Sequence, residues 1–179
     1  MKQTPQAMAE FWREAGPKAW FAKSEAFDSQ LRERFMALHL AAARGEFADQ
    51  LVDPQAALGV ALLLDQFPRN SFRDSPQMYA SDPLARAFAR QMIELGLDAQ
   101  VEPALRGFCY LPFEHSEVLE DQHYAVQLCL PLGGETLRFA RHHLEIIERF
   151  GRFPHRNAVL GRISTAEETA FLAQGGFSG

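Results

Sequence analysis

The chain has 179 residues, 47% hydrophobic and 11% aromatic, enough for one domain with a real core and short for two. No apolar run approaches the roughly 18 residues of a membrane helix, and the polar start Met1-Lys2-Gln3-Thr4-Pro5 leads straight into an amphipathic helix, so neither a membrane span nor a signal peptide is expected. A net charge of −5 without a basic stripe interleaved with stacking aromatics argues against nucleic acid, and Cys109 and Cys129 form neither a CxxC nor a metal spacing, which fits reduced thiols in the cytoplasm.

Helical punctuation runs the length of the chain. Thr4-Pro5 reads as an N-cap followed by proline at the first helical position, and Gly16 ends that helix. A long helix is predicted from about Asp28, with Leu31, Phe35, Leu38 and Ala42 in one stripe and Gly45 as its stop. Asp53-Pro54 and Asp82-Pro83 repeat the start signal, the second helix running to Gly96. Ser116 is expected to cap a helix carrying Val118, Gln122, Ala125, Val126 and Cys129. Gly133-Gly134 breaks the chain before a stripe of Leu137, Ala140, Leu144 and Ile147. Ser164-Thr165-Ala166-Glu167-Glu168 then holds two overlapping capping boxes ahead of a last helix ending near Gln174. No stretch keeps a period-two alternation, so residues 1–179 are expected to form one all-α domain of antiparallel helix pairs.

The charges are unevenly spread. All three lysines (Lys2, Lys18, Lys23) lie in the first 23 residues, and every later cation is arginine. Five acids and no lysine or arginine lie between Gly107 and Leu137, whereas six arginines face two glutamates between Arg138 and Arg162, with His142, His143 and His155. Two readings fit: neighbouring helices pairing their polar faces, or a cationic pocket for a planar anion, where the arginine fork outperforms lysine.

The tetrad Phe-Pro-Arg-Asn occurs twice, as Phe67-Pro68-Arg69-Asn70 and, with one inserted histidine, as Phe153-Pro154-His155-Arg156-Asn157. Each follows an apolar helical run, so each proline is expected to stop a helix. Arg69 and Arg156, with Asn70 and Asn157, are then expected around one cavity, Arg156 as an exposed pocket arginine. Asp65 falls at a helix C-terminus, where the dipole disfavours negative charge. It is expected to be buried and paired with Arg69 or Arg73, either clamping the helix exit or orienting a catalytic arginine or histidine.

The histidines carry the remaining chemistry. His115 stands between Glu114 and Glu117 just before a helix, which suits a carboxylate-oriented imidazole for acid–base work as well as a solvent-facing loop residue. His143 falls beside the apolar face of its helix, either a satisfied core residue or part of a cluster with Glu148, Arg152, His155, Arg156 and Asn157. On the opposite face Glu145 is placed to pair with Arg141 and Arg149. The candidate catalytic residues are therefore His115, Glu117, His143 and His155, and the candidate binding residues Asp65, Arg69, Asn70, Arg152, Arg156, Asn157 and Arg162. Without HExxH, cysteine pair or EF-hand loop no metal is called for, and no cofactor signal is present; a Gly-rich phosphate loop and a GxSxG elbow are lacking too.

Asp65 to Asn70, Tyr110 to Glu117, and the run from Ile146 to Phe171 together resemble the uncharacterised bacterial family catalogued as domain of unknown function 924. The resemblance covers nearly the whole chain and is most specific from Glu148 to Asn157, at Leu160-Gly161-Arg162 and at Ser164 to Glu168. It implies an all-helical, tetratricopeptide-like fold and no established activity. In one place the chain departs from the pattern: relatives carry arginine-glycine where Arg73-Asp74 stands, which bears on the local turn.

Two functions fit these features. One is an Arg/His/Asn-lined pocket that binds or transforms a small anionic metabolite. The other is a tetratricopeptide-like scaffold that binds a peptide or partner protein without catalysis, for which fold alone is a weak warrant. A third reading has the tetrads only cap helices. The motifs cluster at helix exits and do not repeat along a concave surface, which favours the pocket. Whether the chain is an enzyme, and its oligomeric state, are not written in these motifs.

Overall fold

In the computed structural model, which describes residues 3–177, the chain is built from ten α-helices, with no strand among the described residues. They fall into two compact units, Met1–Arg73 with Gln77–Pro112, and Asp74–Pro76 with Phe113–Gly179. No helix of the described residues is long and apolar enough to cross a membrane.

The first unit holds α1 (Pro5–Ala15), the single turn α2 (Pro17–Trp20), α3 (Glu25–Ala43), α4 (Pro54–Ser71), α5 (Asp82–Glu94) and the short turn α6 (Pro103–Arg106). Two of these helices start on the caps the sequence indicates: the Thr4 hydroxyl accepts the Ala7 N–H, and Asp53 accepts those of Gln55 and Ala56. At α5, Asp82 lies inside the helix and Ser81 holds the N-cap position without a side-chain cap bond. The long helix differs. Ser24 is its N-cap, accepting the Phe27 N–H, so Asp28 lies one turn inside it and is free to serve other residues.

The core of this unit is α4. Ala56 to Pro68 is buried on every side, against α1, α3 and α5. Its small residues set the spacing: a Cβ on Gly59 would stand 1.8 Å from the Pro5 carbonyl oxygen, so only glycine admits the start of α1 that closely. Met8 and Trp12 of α1, Leu31 and Phe35 of α3, and Ala85, Ala89 and Met92 of α5 are all fully buried around it.

Pro68 does not stop α4; the helix runs on to Ser71 with the proline inside. A proline there has no N–H for the Leu64 carbonyl and crowds it. The Ser81 hydroxyl supplies the missing donor, at 2.6 Å from that oxygen. The neighbouring carbonyls also take side-chain donors, Leu63 from His39 Nδ1 at 2.9 Å and Asp65 from Arg69 Nη1 at 2.6 Å. Burial holds His39 below the usual imidazole range despite its Leu63 hydrogen bond, so the ring is neutral with its proton on Nδ1.

The turn α7 (Leu111–Glu114) leads in sequence to the second unit, which contains α8 (Leu119–Cys129), α9 (Gly134–Phe150) and α10 (Ala166–Ala173). Helix α8 starts later than expected: Val118 is its N-cap, and Ser116 is buried, donating to Asp121 and accepting the Val118 N–H. Helix α9 ends at Phe150 because Gly151 adopts the left-handed conformation and returns its N–H to Ile147. Pro154 comes three residues later and opens a 3₁₀ turn (Pro154–Arg156). Neither tetrad proline is therefore a helix stop, and the two copies have different backbones. Of the two overlapping capping boxes, Thr165 with Glu168 forms, while Ser164 accepts from Asn157.

Two outcomes follow for stability. Ser81→Ala leaves the buried Leu64 carbonyl without its donor and is expected to cost about 1–3 kcal/mol. Pro68→Ala returns a backbone N–H, so the two changes combined should cost less than their sum in denaturant unfolding; strict additivity would contradict the compensation. Asp74 adopts the left-handed conformation that favours glycine, at φ 59°. Asp74→Gly is expected to stabilise by up to about 1 kcal/mol, since relief of left-handed strain outweighs the added freedom of the unfolded chain, and a lowered melting temperature would refute it.

Candidate functional site

The sequence-selected residues fall in both units. Asp65, Arg69 and Asn70 belong to the first, where Asp65 is buried as expected, with Arg69 Nη1 3.2 Å from Oδ1 and the Gln66 amide donating to Oδ2 at 2.7 Å. The Arg69 fork also binds Asp82 through both carboxylate oxygens, at 2.9 and 3.0 Å. Burial disfavours the Arg69 charge, yet Asp65 and Asp82 outweigh it and raise the guanidinium above its ordinary value. Asn70 donates to Asp28 at 2.8 Å, and Arg73 grips the same carboxylate at 2.6 and 3.1 Å, tying the end of α4 to the start of α3.

His115, His143 and His155 all belong to the second unit: His143 and His155 flank Phe153, and His115 lies beside His143. The His115 and His143 ring centroids are 6.0 Å apart, and Phe153 lies 5.6 Å from His143 and 5.7 Å from His155. The Arg156 guanidinium stands 4.5 Å over the Phe153 ring. Arg156 is buried, 6% exposed, which corrects the expectation of an exposed pocket arginine: the 3₁₀ turn folds it inward over Phe153. Glu114, one residue before His115, brings Oε2 to 3.7 Å from His143 Nδ1 and accepts from the Cys129 thiol at 3.5 Å.

Glu117, Arg152, Asn157 and Arg162 form a latch beside this cluster. Arg162 grips Glu117 with both fork nitrogens, at 2.6 and 2.9 Å, and donates from Nε to Asn157 at 2.9 Å. Glu117 also accepts the Phe153 N–H at 2.8 Å. Burial pushes the Glu117 carboxyl up, but the hydrogen bonds from Arg162 and Phe153 prevail and hold it below the usual range. Arg152 binds Glu168 at 2.6 and 2.8 Å, Asn157 donates to the same carboxylate, and Thr165 offers its N–H. The Arg152 hydrogen bond is the chief cause that carries Glu168 down to about 2. Together these contacts fix the segment that bears His155 and Arg156.

Glu145 approaches His142, at 3.8 Å, and Arg149 reaches Glu167 at 2.9 Å, in place of the two expected pairs along α9. A hollow of about 360 Å³ lies along α9, lined by Gly134, Leu137, Arg138, Arg141, His142 and Glu145, none of them a candidate residue from the sequence. Among the described residues no group of three or more His, Cys, Asp or Glu is placed to hold a metal ion. The cysteines are buried as free thiols, and burial raises both well above the usual range. Sequence reasoning passed over Phe153 and Phe177, whose rings wall the imidazoles; Phe177 lies 4.8 Å from His143 and 5.2 Å from His155. The signal for Phe177 was its place after Gly175-Gly176 at a helix end.

His143 is held neutral. Burial lowers it most, His115, His142 and Arg156 add repulsion, and the Phe139 carbonyl opposes them; the result is about 3. With Nδ1–H donated to Phe139 at 2.8 Å, the lone pair is on Nε2. A pKa below the unfolded value of about 6.5 means that folding favours the neutral ring. This contribution is complete above pH 6.5 and is lost as pH falls towards 3. Between pH 7 and 5, where Glu168 remains ionised, wild type should lose stability with a slope of at most about 1.4 kcal/mol per pH unit from this ring. His143→Asn, which keeps a donor for Phe139, should flatten that slope, with His39 supplying the remainder; an unchanged profile of melting temperature against pH would contradict neutral burial.

Residues 8–176 match the family model for bacterial proteins of unknown function (DUF924). The solved structure of a protein of unknown function from Agrobacterium tumefaciens is similar at 48% identity and a TM-score of 0.93, over 95% of this chain and 97% of that one. Curated proteins give no match. With the model spanning nearly the whole chain and the helices superposing on that structure, the chain belongs to the bacterial family of unknown function DUF924.

Proposed function

We propose that this protein binds a small anionic metabolite at the imidazole–arginine cluster of its second unit. One observation carries the reading: His143, His155 and a buried guanidinium pack on Phe153 with His115 beside His143, and repulsion from His115, His142 and Arg156 contributes to the depression of His143. An anion among them would relieve that repulsion in a desolvated place, where charge pairing is strong. In this reading Arg156 meets the anion, His115 and His155 donate hydrogen bonds, and His143 donates from Nε2 only once it has taken up a proton there. Glu117, Arg152, Asn157 and Arg162 act at one remove, by fixing the segment that carries His155 and Arg156. Asp65, Arg69 and Asn70 secure the end of α4 in the first unit. A general base works best with a pKa near the operating pH, and His143 at about 3 is far from it. The reading is therefore one of binding first, with any proton transfer left to His115 or His155.

Phosphate, sulfate or acetate should raise the melting temperature with increasing concentration, about 2.7 kcal/mol of stabilisation at a hundredfold excess over Kd. Because Arg156 is buried, alanine there would conflate binding with folding. Arg156→Lys keeps the charge and removes the planar fork, and should weaken the protection at least fivefold while the helical circular-dichroism signal is retained. Absence of protection by every anion, or equal protection of the lysine variant, would refute the site.

A further inference from the structure

The imidazole cluster is closed by the chain's own Phe177, and a built turn puts it there. Helix α10 ends in a Schellman motif: Gly175, at φ 80°, donates its N–H to Leu172, and Gly176 donates to Phe171 at 3.0 Å. A Cβ on Gly176 would stand 2.6 Å from both the Phe171 ring and the Phe171 carbonyl oxygen, so the reversal is open to glycine alone. The chain turns back and lays Phe177 against four rings. His142, His143 and His155 meet it edge-on at 5.6, 4.8 and 5.2 Å, and Phe153 is tilted at 6.5 Å. Ile146 and Ile147 lie in the same apolar cluster.

These contacts differ from those of its apolar neighbours. Phe150 and Phe171, half-buried like Phe177, pair with each other at 5.0 Å, whereas Phe177 has three imidazoles for neighbours. Imidazole edges around a flat ring make a recognition surface for aromatic rings in general, since the quadrupole of any such ring favours edge-to-face approach. Arg156 stands on the shared wall, 4.5 Å over Phe153, where a carboxylate attached to that ring could be met by its fork.

We infer that the Phe177 ring occupies an aromatic subsite of this cluster, and that the ligand is a planar aromatic carboxylate whose ring displaces Phe177 while its carboxylate meets Arg156. The inference rests on the anion reading above and narrows it. Phe177 then acts as a competitor in cis, and the apparent affinity of the free protein falls in proportion to the fraction of time the ring is seated.

The test compares benzoate with acetate by calorimetry and by the imidazole proton resonances of the whole protein. Benzoate should shift the His143 and His155 resonances of wild type as the Phe177 ring current is removed, and should bind Phe177→Ala about tenfold or more tighter. Acetate, which needs no ring space, should bind both proteins alike. Phe177→Leu retains apolar packing on Ile146 and Ile147, and should also gain affinity for benzoate; it decides the matter if the alanine variant does not fold. Equal or weaker benzoate binding in the variants overturns the inference. If acetate and phosphate still protect in an Arg156-dependent way, that failure leaves the anion reading standing. Benzoate binding that gains from Phe177→Ala but ignores Arg156→Lys overturns the anion reading and, with it, the carboxylate contact.

Discussion

The paired fork of arginine and carboxylate is the interaction on which both units depend. Asp65 and Asp82 around Arg69, Asp28 in Arg73, Glu117 in Arg162 and Glu168 in Arg152 are all held this way. Asp28, Asp65 and Glu168 are at most 2% exposed, so each would be costly without a partner that satisfies more than one lone pair. A lysine offers a point charge; arginine offers two parallel donors and further N–H groups for nearby carbonyls, as Arg162 does with Asn157 and the Phe153 carbonyl. At Arg69, Arg73, Arg152 and Arg162 the choice of arginine over lysine therefore has a structural cause in these pairs. Arg69 joins two helices, Arg73 and Arg152 tie irregular segments to helices, and Arg162 joins two irregular segments, where no ladder of backbone hydrogen bonds could do so.

Local signals were legible where the chemistry is local. The caps at Thr4 and Asp53, the box of Thr165 with Glu168, and the all-helical class follow from residues within four positions of one another. The repeated tetrad shows where that legibility ends. The same four residue types, parted by one histidine in the second copy, stand inside a helix in one place and in and around a 3₁₀ turn after a glycine stop in the other. What decides the first case is a hydroxyl 13 residues beyond the proline, Ser81, which serves the orphaned Leu64 carbonyl. Proline's effect on a helix is a local cost, whereas the compensation is tertiary, and a sequence window sees only the former.

The same limit explains the exchange of roles between two glutamates. Both flank His115, and the spacing that makes Glu117 the catalytic candidate does not distinguish them. Arg162, 45 residues away, takes Glu117, and Glu114 lies beside His143. His115 lies beside His143, and His143 and His155 share Phe153 as a neighbour. Their aromatic setting was missed because Phe153 read as part of a helix stop and Phe177 as a residue past the last helix.

That setting governs what the imidazoles can do. Rings of Phe153 and Phe177 exclude water from His143 and so depress it, and the same exclusion strengthens every charge interaction within reach. A group kept neutral by its surroundings is inert as a base until the surroundings change, and displacing Phe177 or adding a negative charge changes them. An anion near His115, His142 and Arg156 would cancel the repulsion those groups exert on His143 and move its pKa back towards the ordinary imidazole value. Under the proposed binding, ligand occupancy and protonation of His143 would be coupled in sign: anion binding would favour proton uptake, and acidification would favour the anion. The hydrophobic wall that stabilises the unit is in this way also the element that sets the chemistry of the cluster.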